Sequence, residues 1–160
     1  MEMVEMRFLG PHDAPLFKSI VEVFRGQAVT DAHAEVFLSH PDHIIACAYE
    51  DGRAVGYVLA YRMARMDNAA DDLRIHHVFV APDHQRQGLA SKLLGMMLDY
   101  ARGQRLHYVS LTTQSDNVAA NALYRKMGGF SHPLDKETYF WYITGKPSTD
   151  VGLGPECPPR

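Results

Sequence analysis

Cysteine is nearly absent from this chain of 160 residues, which has two, Cys47 and Cys157. Cys47 falls in a predicted buried strand and Cys157 in a Pro-rich tail. A disulfide framework is therefore excluded, and two reduced thiols are expected. Metal-ligand spacing is missing too. The nine histidines are scattered, with no His-x-x-x-His on a predicted helix and no Cys-x-x-Cys, so no metal site is expected. No apolar run is long enough to span a bilayer, and no signal-peptide pattern precedes the first strand. The expected address is the cytoplasm, with no membrane partner. Net charge is small, −3 from 16 Lys+Arg and 19 Asp+Glu. Without a basic stripe, nucleic acid is excluded as the main ligand. Neither G-x-x-x-x-G-K-[ST] nor G-x-G-x-x-G occurs, so ordinary nucleotide loops are excluded as well.

What is present is an ordinary globular composition, 46% hydrophobic and 22% charged, long enough for one domain with a real core. Val4 to Leu9 reads as a strand. Asp13 is placed to cap a helix over Ala14 to Arg25, which Gly26 ends. Thr30 or Asp31 is placed to cap a short helix over Ala32 to Ser39. His43 to Glu50 and Arg53 to Met63 form a hairpin about Asp51-Gly52, and Gly56 marks a bend or bulge. Asp67 to Asp72 is a polar connection. His107 to Thr113 reads as another strand. Asp116 or Asn117 is placed to cap a helix over Val118 to Met127, which Gly128-Gly129 terminates. Tyr139 to Thr144 is the last predicted strand. The composition then shifts to Pro, Gly and Ser, giving a single domain over 1–145 and a loose tail over 146–160.

The stretch from Arg74 to Leu94 organises the rest. Ile75 to Val80 has the β-branched and aromatic content of a buried strand, and Pro82 ends it. Beyond Gly88, Ala90, Leu93, Leu94, Met97, Leu98 and Ala101 make one apolar helix face. A helix entered through a glycine turn presents free N–H groups and a positive dipole end, which suit phosphate. Gly88 lets phosphates approach the backbone, and Arg86 adds positive charge.

Gln85-x-x-Gly88-x-Ala90 after a strand resembles the acyl-coenzyme A pyrophosphate loop of the GNAT acetyltransferase superfamily, Q/R-x-x-G-x-G/A. Asn117 to Phe130 looks like that superfamily's N-x-x-A-x-x-L-Y-x-x-x-G-F helix. Two departures are a one-residue shift in the Asn117–Tyr124 spacing and a second glycine before Phe130. The predicted element order also matches the GNAT layout, over about residues 3 to 144. The resemblance implies an α/β fold with a mixed central sheet of about six or seven strands and helices on both faces. It implies acetyl-CoA as cofactor, held by Val78, Phe79, Val80, Gln85, Arg86, Gln87, Gly88, Leu89, Ala90, Ser91, Asn117 and Tyr124. Phe79 and Val80 would pair with the pantetheine arm like another strand, and an N–H near Phe79 would face the developing oxyanion.

Acetyl transfer to an amine needs a proton acceptor, and neutral imidazole suits it. Many GNAT members carry Glu or Asp where this chain has His76 and His77. Strand alternation puts the two on opposite faces, so at most one is expected to face substrate. His76 is favoured, on the face of Arg74 and Val78, and His77 is second. Tyr124 resembles the family tyrosine that reprotonates the leaving thiolate; the other reading of it is a core aromatic. The implied acceptor is a small-molecule amine, and the arrangement is nearest that of aminoglycoside 3-N-acetyltransferases. Those enzymes bind polycations with carboxylates, which His76-His77 do not supply. The alternatives are acetylation of a protein or peptide amine, and a non-catalytic acyl-CoA sensor. GNAT enzymes are often dimers, and Tyr139, Trp141 and Tyr142 offer an interface for a homodimer.

Overall fold

The computed structural model describes residues 3–67 and 70–131. Two compact units divide the chain, residues 1–112 and 113–160. In the first, a five-stranded mixed sheet runs in the order β1-β2-β3-β4-β5. Its strands are β1 (Glu5–Phe8), β2 (His43–Glu50), β3 (Arg53–Met63), β4 (Asp72–Val80) and β5 (Val109–Ser110). The first three pairings are antiparallel, and β4–β5 is parallel. The helices are α1 (Ala14–Arg25), α2 (Asp31–Ser39) and α3 (Leu89–Gly103).

Local chemistry accounts for these elements. α1 has Pro15 in its first turn, where a missing N–H harms nothing. It stops at Gly26, left-handed at φ 63°. Asp13 does not cap it: one carboxylate oxygen accepts the Gly10 N–H at 2.8 Å and the other pairs with Arg7 at 2.6 Å. Thr30 does cap α2, accepting from the His33 N–H at 3.1 Å. The β2–β3 turn has positive φ at both Asp51 (48°) and Gly52 (77°), which matches the twist of the hairpin. The irregularity expected at Gly56 is there. Ala48 opposes Gly56 and Tyr49 opposes Ala54, so Val55 is the extra residue of a bulge.

Helices cover both faces of the sheet. On one, α1 and α2 pack Ala14, Phe17, Ile20, Ala34 and Leu38 against Ile45, Cys47, Tyr57 and Leu59. On the other lies α3, whose buried side is Leu89, Leu93, Leu94, Met97 and Ala101. A Cβ on Gly56 would stand 3.3 Å from the Leu93 side chain and 3.2 Å from the Phe79 carbonyl. Gly56, Val58 and Ala60 therefore face α3, while Tyr57, Leu59 and Tyr61 face α1 and α2.

Several expectations are corrected. β4 starts at Asp72, not Ile75. Asp72 is buried and paired with Arg65 at 3.5 Å, and the His107 ring stands 3.3 Å from its other oxygen. The other carboxylates of that connection are also paired, Asp71 with Arg62 at 2.6 Å and Asp67 with Arg65 at 2.7 Å. β5 is two residues long where seven were expected. Cys47 is a buried thiol, pushed up to about 12 by burial.

In the second unit, α4 (Val118–Lys126) is capped by Asn117, which accepts from the Ala120 N–H at 3.1 Å. Gly128 is left-handed at φ 88°. A Cβ on Gly129 would lie 2.9 Å from the Tyr124 carbonyl oxygen, so each glycine of the pair has its own steric reason. The predicted strand over Tyr139 to Thr144, Trp141, Cys157 and the 146–160 tail lie outside the described residues. The described residues hold five strands. Among them no helix is long and apolar enough to cross a membrane.

Candidate active site

β4 carries the candidate site because it is both bulged and unpaired along part of one edge. Leu59 opposes His77 but Ala60 opposes Ile75. His76 is the extra residue between them, and this bulge shifts the strand's alternation by one. Ile75, across from Ala60, turns to α3, and so does Val78, across from Val58. Arg74, His77 and Phe79 lie across from Tyr61, Leu59 and Tyr57, on the α1/α2 face. His76 joins them there, its ring 5.7 Å from Tyr61 and 4.5 Å from His77 between centroids. The expectation that one imidazole faces away is overturned by the bulge. So is the placing of His76 on the face of Val78.

Around the pair is a wall of rings. Tyr57 meets His77 edge-on at 5.8 Å, Phe79 lies 5.5 Å from His77, and Phe24 of α1 lies 5.1 Å from Tyr57. The Tyr57 hydroxyl is 3.0 Å from His77 Nδ1. Burial, then the neighbouring His76 and Arg25, pull His77 down to about 4. Burial, then Arg74 and Arg25, lower His76 as well. Both imidazoles are thus neutral at pH 7. Burial pushes the Tyr57 phenol far above its usual range. Arg74 itself is held by hydrogen bonds to Ser110, at 3.4 Å, and Thr112.

The open edge follows from the ladder. β5 pairs only with Leu73 and Arg74. Beyond them the described residues place no strand against this side of β4. The Ala81 N–H donates to the Val55 carbonyl of β3 at 2.8 Å. By alternation the Phe79 N–H also faces β3, and those of Val78 and Val80 face the open edge. The N–H groups turned to the open edge are therefore those of Val78 and Val80, not that of Phe79. The Val80 carbonyl is occupied by the Gln85 side chain at 3.0 Å.

A short 3₁₀ turn at Pro82–His84 leads to the α3 N-terminus. Gln87 braces the turn, donating to the Asp83 carbonyl at 3.2 Å. Arg86 and Gly88 have positive φ, 61° and 78°. Gly88 is the N-cap with no side-chain cap bond. The first helical bond is Lys92 N–H to the Gly88 carbonyl at 3.1 Å, so the N–H groups of Leu89, Ala90 and Ser91 precede it. Those open donors fit a phosphate. The Leu89 side chain is 5% exposed and belongs to the core, so only its backbone is available to a ligand. Asn117 has its side-chain oxygen engaged in the α4 cap. Tyr124 is partly buried, its phenol raised by burial. Among the described residues no His, Cys, Asp or Glu cluster could hold a metal.

Sequence reasoning missed Tyr57, Arg25 and Phe24. Their approach to the histidines depends on the β3–β4 register and on α1 packing, neither of which is a local pattern. The bulge itself left a trace, in that the apolar alternation Leu73, Ile75 resumes one residue late at Val78, Val80.

The family model described as acetyltransferase (GNAT) family matches residues 14–130. Over 91 residues the chain is 35% identical to an N-alpha-acetyltransferase, RimI, of Mycobacterium tuberculosis, covering 57% of this chain and 54% of the relative. Over 92 residues it is 33% identical to human N-acetyltransferase 8, covering 58% of this chain and 40% of the relative. The chain thus spans about half the length of these curated relatives. A crystal structure of an aminoglycoside acetyltransferase from an uncultured soil metagenomic sample, in complex with trehalose, superposes with a TM-score of 0.77. It covers 87% of this chain and 95% of that one at 17% identity, a likeness of fold. With the family model matched from α1 to beyond α4, this chain belongs to the acetyltransferase (GNAT) family.

Proposed function

We propose that the chain transfers an acetyl group from acetyl-CoA to a primary amine of a small molecule, with an aminoglycoside as one candidate acceptor. The observation that carries the reading is the pair of neutral imidazoles, His76 and His77, beside the open edge of β4. Bound acetyl-CoA supplies the acyl thioester. The uncapped α3 N-terminus with Gln85, Arg86, Gln87, Gly88, Leu89, Ala90 and Ser91 holds its phosphates through backbone N–H groups and the Arg86 charge. Val78 and Val80 offer N–H groups to the pantetheine arm and to the oxyanion. An imidazole takes the proton that the amine must lose as nitrogen bonds to the carbonyl carbon. As the tetrahedral centre collapses, the C–S bond breaks and the thiolate needs a proton. Tyr124 is assigned that donation on its sequence motif, and burial keeps its phenol protonated.

A second reading, the α-amine of a peptide or protein, is favoured by charge. The charges acting on the imidazoles from the described residues are Arg74 and Arg25, which suit an acceptor of low charge better than a polycation. It is also favoured by the mycobacterial relative.

The test is thiol release from acetyl-CoA with aminoglycosides, polyamines, amino acids and short peptides, for the protein and for His76→Ala, His77→Ala and Tyr124→Phe. Turnover of one class, lost in a histidine variant and slowed in Tyr124→Phe, is the expected result. No release with any amine, while acetyl-CoA still raises the Tm, would replace the enzyme by an acyl-CoA sensor.

A further inference from the structure

Tyr57 was not among the residues the sequence pointed to, yet it alone among the described residues hydrogen-bonds a ring nitrogen of the histidine pair. Its hydroxyl lies 3.0 Å from His77 Nδ1. A neutral imidazole has one N–H and one bare nitrogen, so this contact has two possible directions. If His77 carried its proton on Nδ1 and donated to Tyr57, the phenol hydrogen would need another acceptor. Tyr57 is 3% exposed, and the described residues offer its hydroxyl no second hydrogen-bond partner. A buried O–H left unmade is costly, about 1–3 kcal/mol. The phenol therefore donates, and Nδ1 accepts.

We propose that Tyr57 is the positioning residue of this site: by donating to His77 Nδ1 it fixes His77 as the Nε2–H tautomer, which makes His77 a hydrogen-bond donor and leaves His76 as the proton acceptor of the pair. His77 then has no free lone pair with which to deprotonate an amine. It can present an N–H, as to a carbonyl or other acceptor atom. His76 stands more exposed, and the described residues make no hydrogen bond to its ring. Its basic nitrogen is open to a substrate. The bulge makes this division of labour possible by placing both rings on Tyr57's face of the sheet. Only the naming of His76 as base rests on the acetyltransferase reading. The tautomer does not, and it is read without turnover.

The experiment is a long-range ¹H–¹⁵N correlation spectrum of the full chain with ¹⁵N-labelled histidine, from about pH 8 to about pH 5, with His77 assigned from the His77→Gln spectrum. Expected is a fixed Nε2–H pattern for His77 that does not titrate in this range. Tyr57→Phe, which keeps the ring and loses the hydroxyl, is expected to give averaged tautomers. It should also raise the His77 midpoint by about one unit, because a hydrogen bond to the neutral form has been removed. An Nδ1–H pattern in the parent protein, or an unchanged pattern in Tyr57→Phe, overturns the proposal. Should Tyr57→Phe fail to fold, the parent tautomer decides it alone. A fixed Nε2–H tautomer in a protein that acetylates no amine would end the acetyltransferase reading and keep Tyr57's role.

Discussion

His77 should make the protein lose stability on acidification, in a window set by its own titration. Its native value is about 4 against an ordinary 6.5. Between those values the unfolded chain binds a proton that the native chain does not. The contribution is therefore whole above pH 6.5, declines as pH falls through the window, and is fully lost below about pH 4. A gap of about 2.5 units at 1.36 kcal/mol each sets a ceiling of about 3.4 kcal/mol. His77 is only partly buried, so solvent screening reduces this to about 1–2 kcal/mol. The groups opposing the charged ring are His76, Arg25 and the Tyr57 hydroxyl, which would have to reverse its hydrogen bond. His77→Gln keeps an oxygen to accept from Tyr57 and removes the titration. Urea unfolding of both proteins at pH 7.0, 5.5 and 4.0 measures the difference, and carboxylate protonation cancels between them. The parent should lose about 1–2 kcal/mol more than the variant from pH 7.0 to 4.0. Equal losses would refute the view that His77 is held neutral.

Gly88→Ala should cost about 1 kcal/mol, because φ is 78° while a Cβ there would meet nothing within 4 Å. Calorimetric titration with CoA should show weakened binding, since that Cβ stands at the proposed phosphate cradle; unchanged affinity would place the phosphates elsewhere. Leu93→Ala removes a fully buried side chain between α3 and the sheet. It should lower the urea unfolding free energy by about 2–5 kcal/mol, and a loss under 1 kcal/mol would mean α3 is not packed as described.

Much of the architecture could be read from local pattern. The bounds of α1, β2 and β3 fall where periodicity and the Gly26 and Asp51-Gly52 signals put them. Those signals are short-range, so nothing distant could override them. The errors have distant causes. Asp72 looked like loop until the folded chain buried it with Arg65 beside its carboxylate. Asp13 stood where a cap belongs, but Arg7 and the Gly10 N–H claimed its carboxylate. At the candidate site the residue types were legible and the geometry was not. Tyr57 lies twenty positions before His77, and only the register joins them.

The bulge at His76 ties pattern to chemistry. In an unbroken ladder, a residue between Ile75 and His77 would oppose Ala60 and turn to α3. Ala60 is fully buried there and Ile75 is 3% exposed. An imidazole in that layer would be stripped of water without a partner, at about 1–3 kcal/mol. Leu73 and Ile75 require one phase of alternation, while Val78 and Val80 require the other. The spacing Leu73-x-Ile75-x-x-Val78-x-Val80 satisfies both only if one residue is left out of the ladder. Burial of the apolar residues therefore drives the extra residue out, and it emerges beside His77 on the face that holds Tyr57, Tyr61 and Phe79. Packing against α3 thus brings the two imidazoles together, and the site's geometry is set by the fold's hydrophobic demand before any substrate is bound.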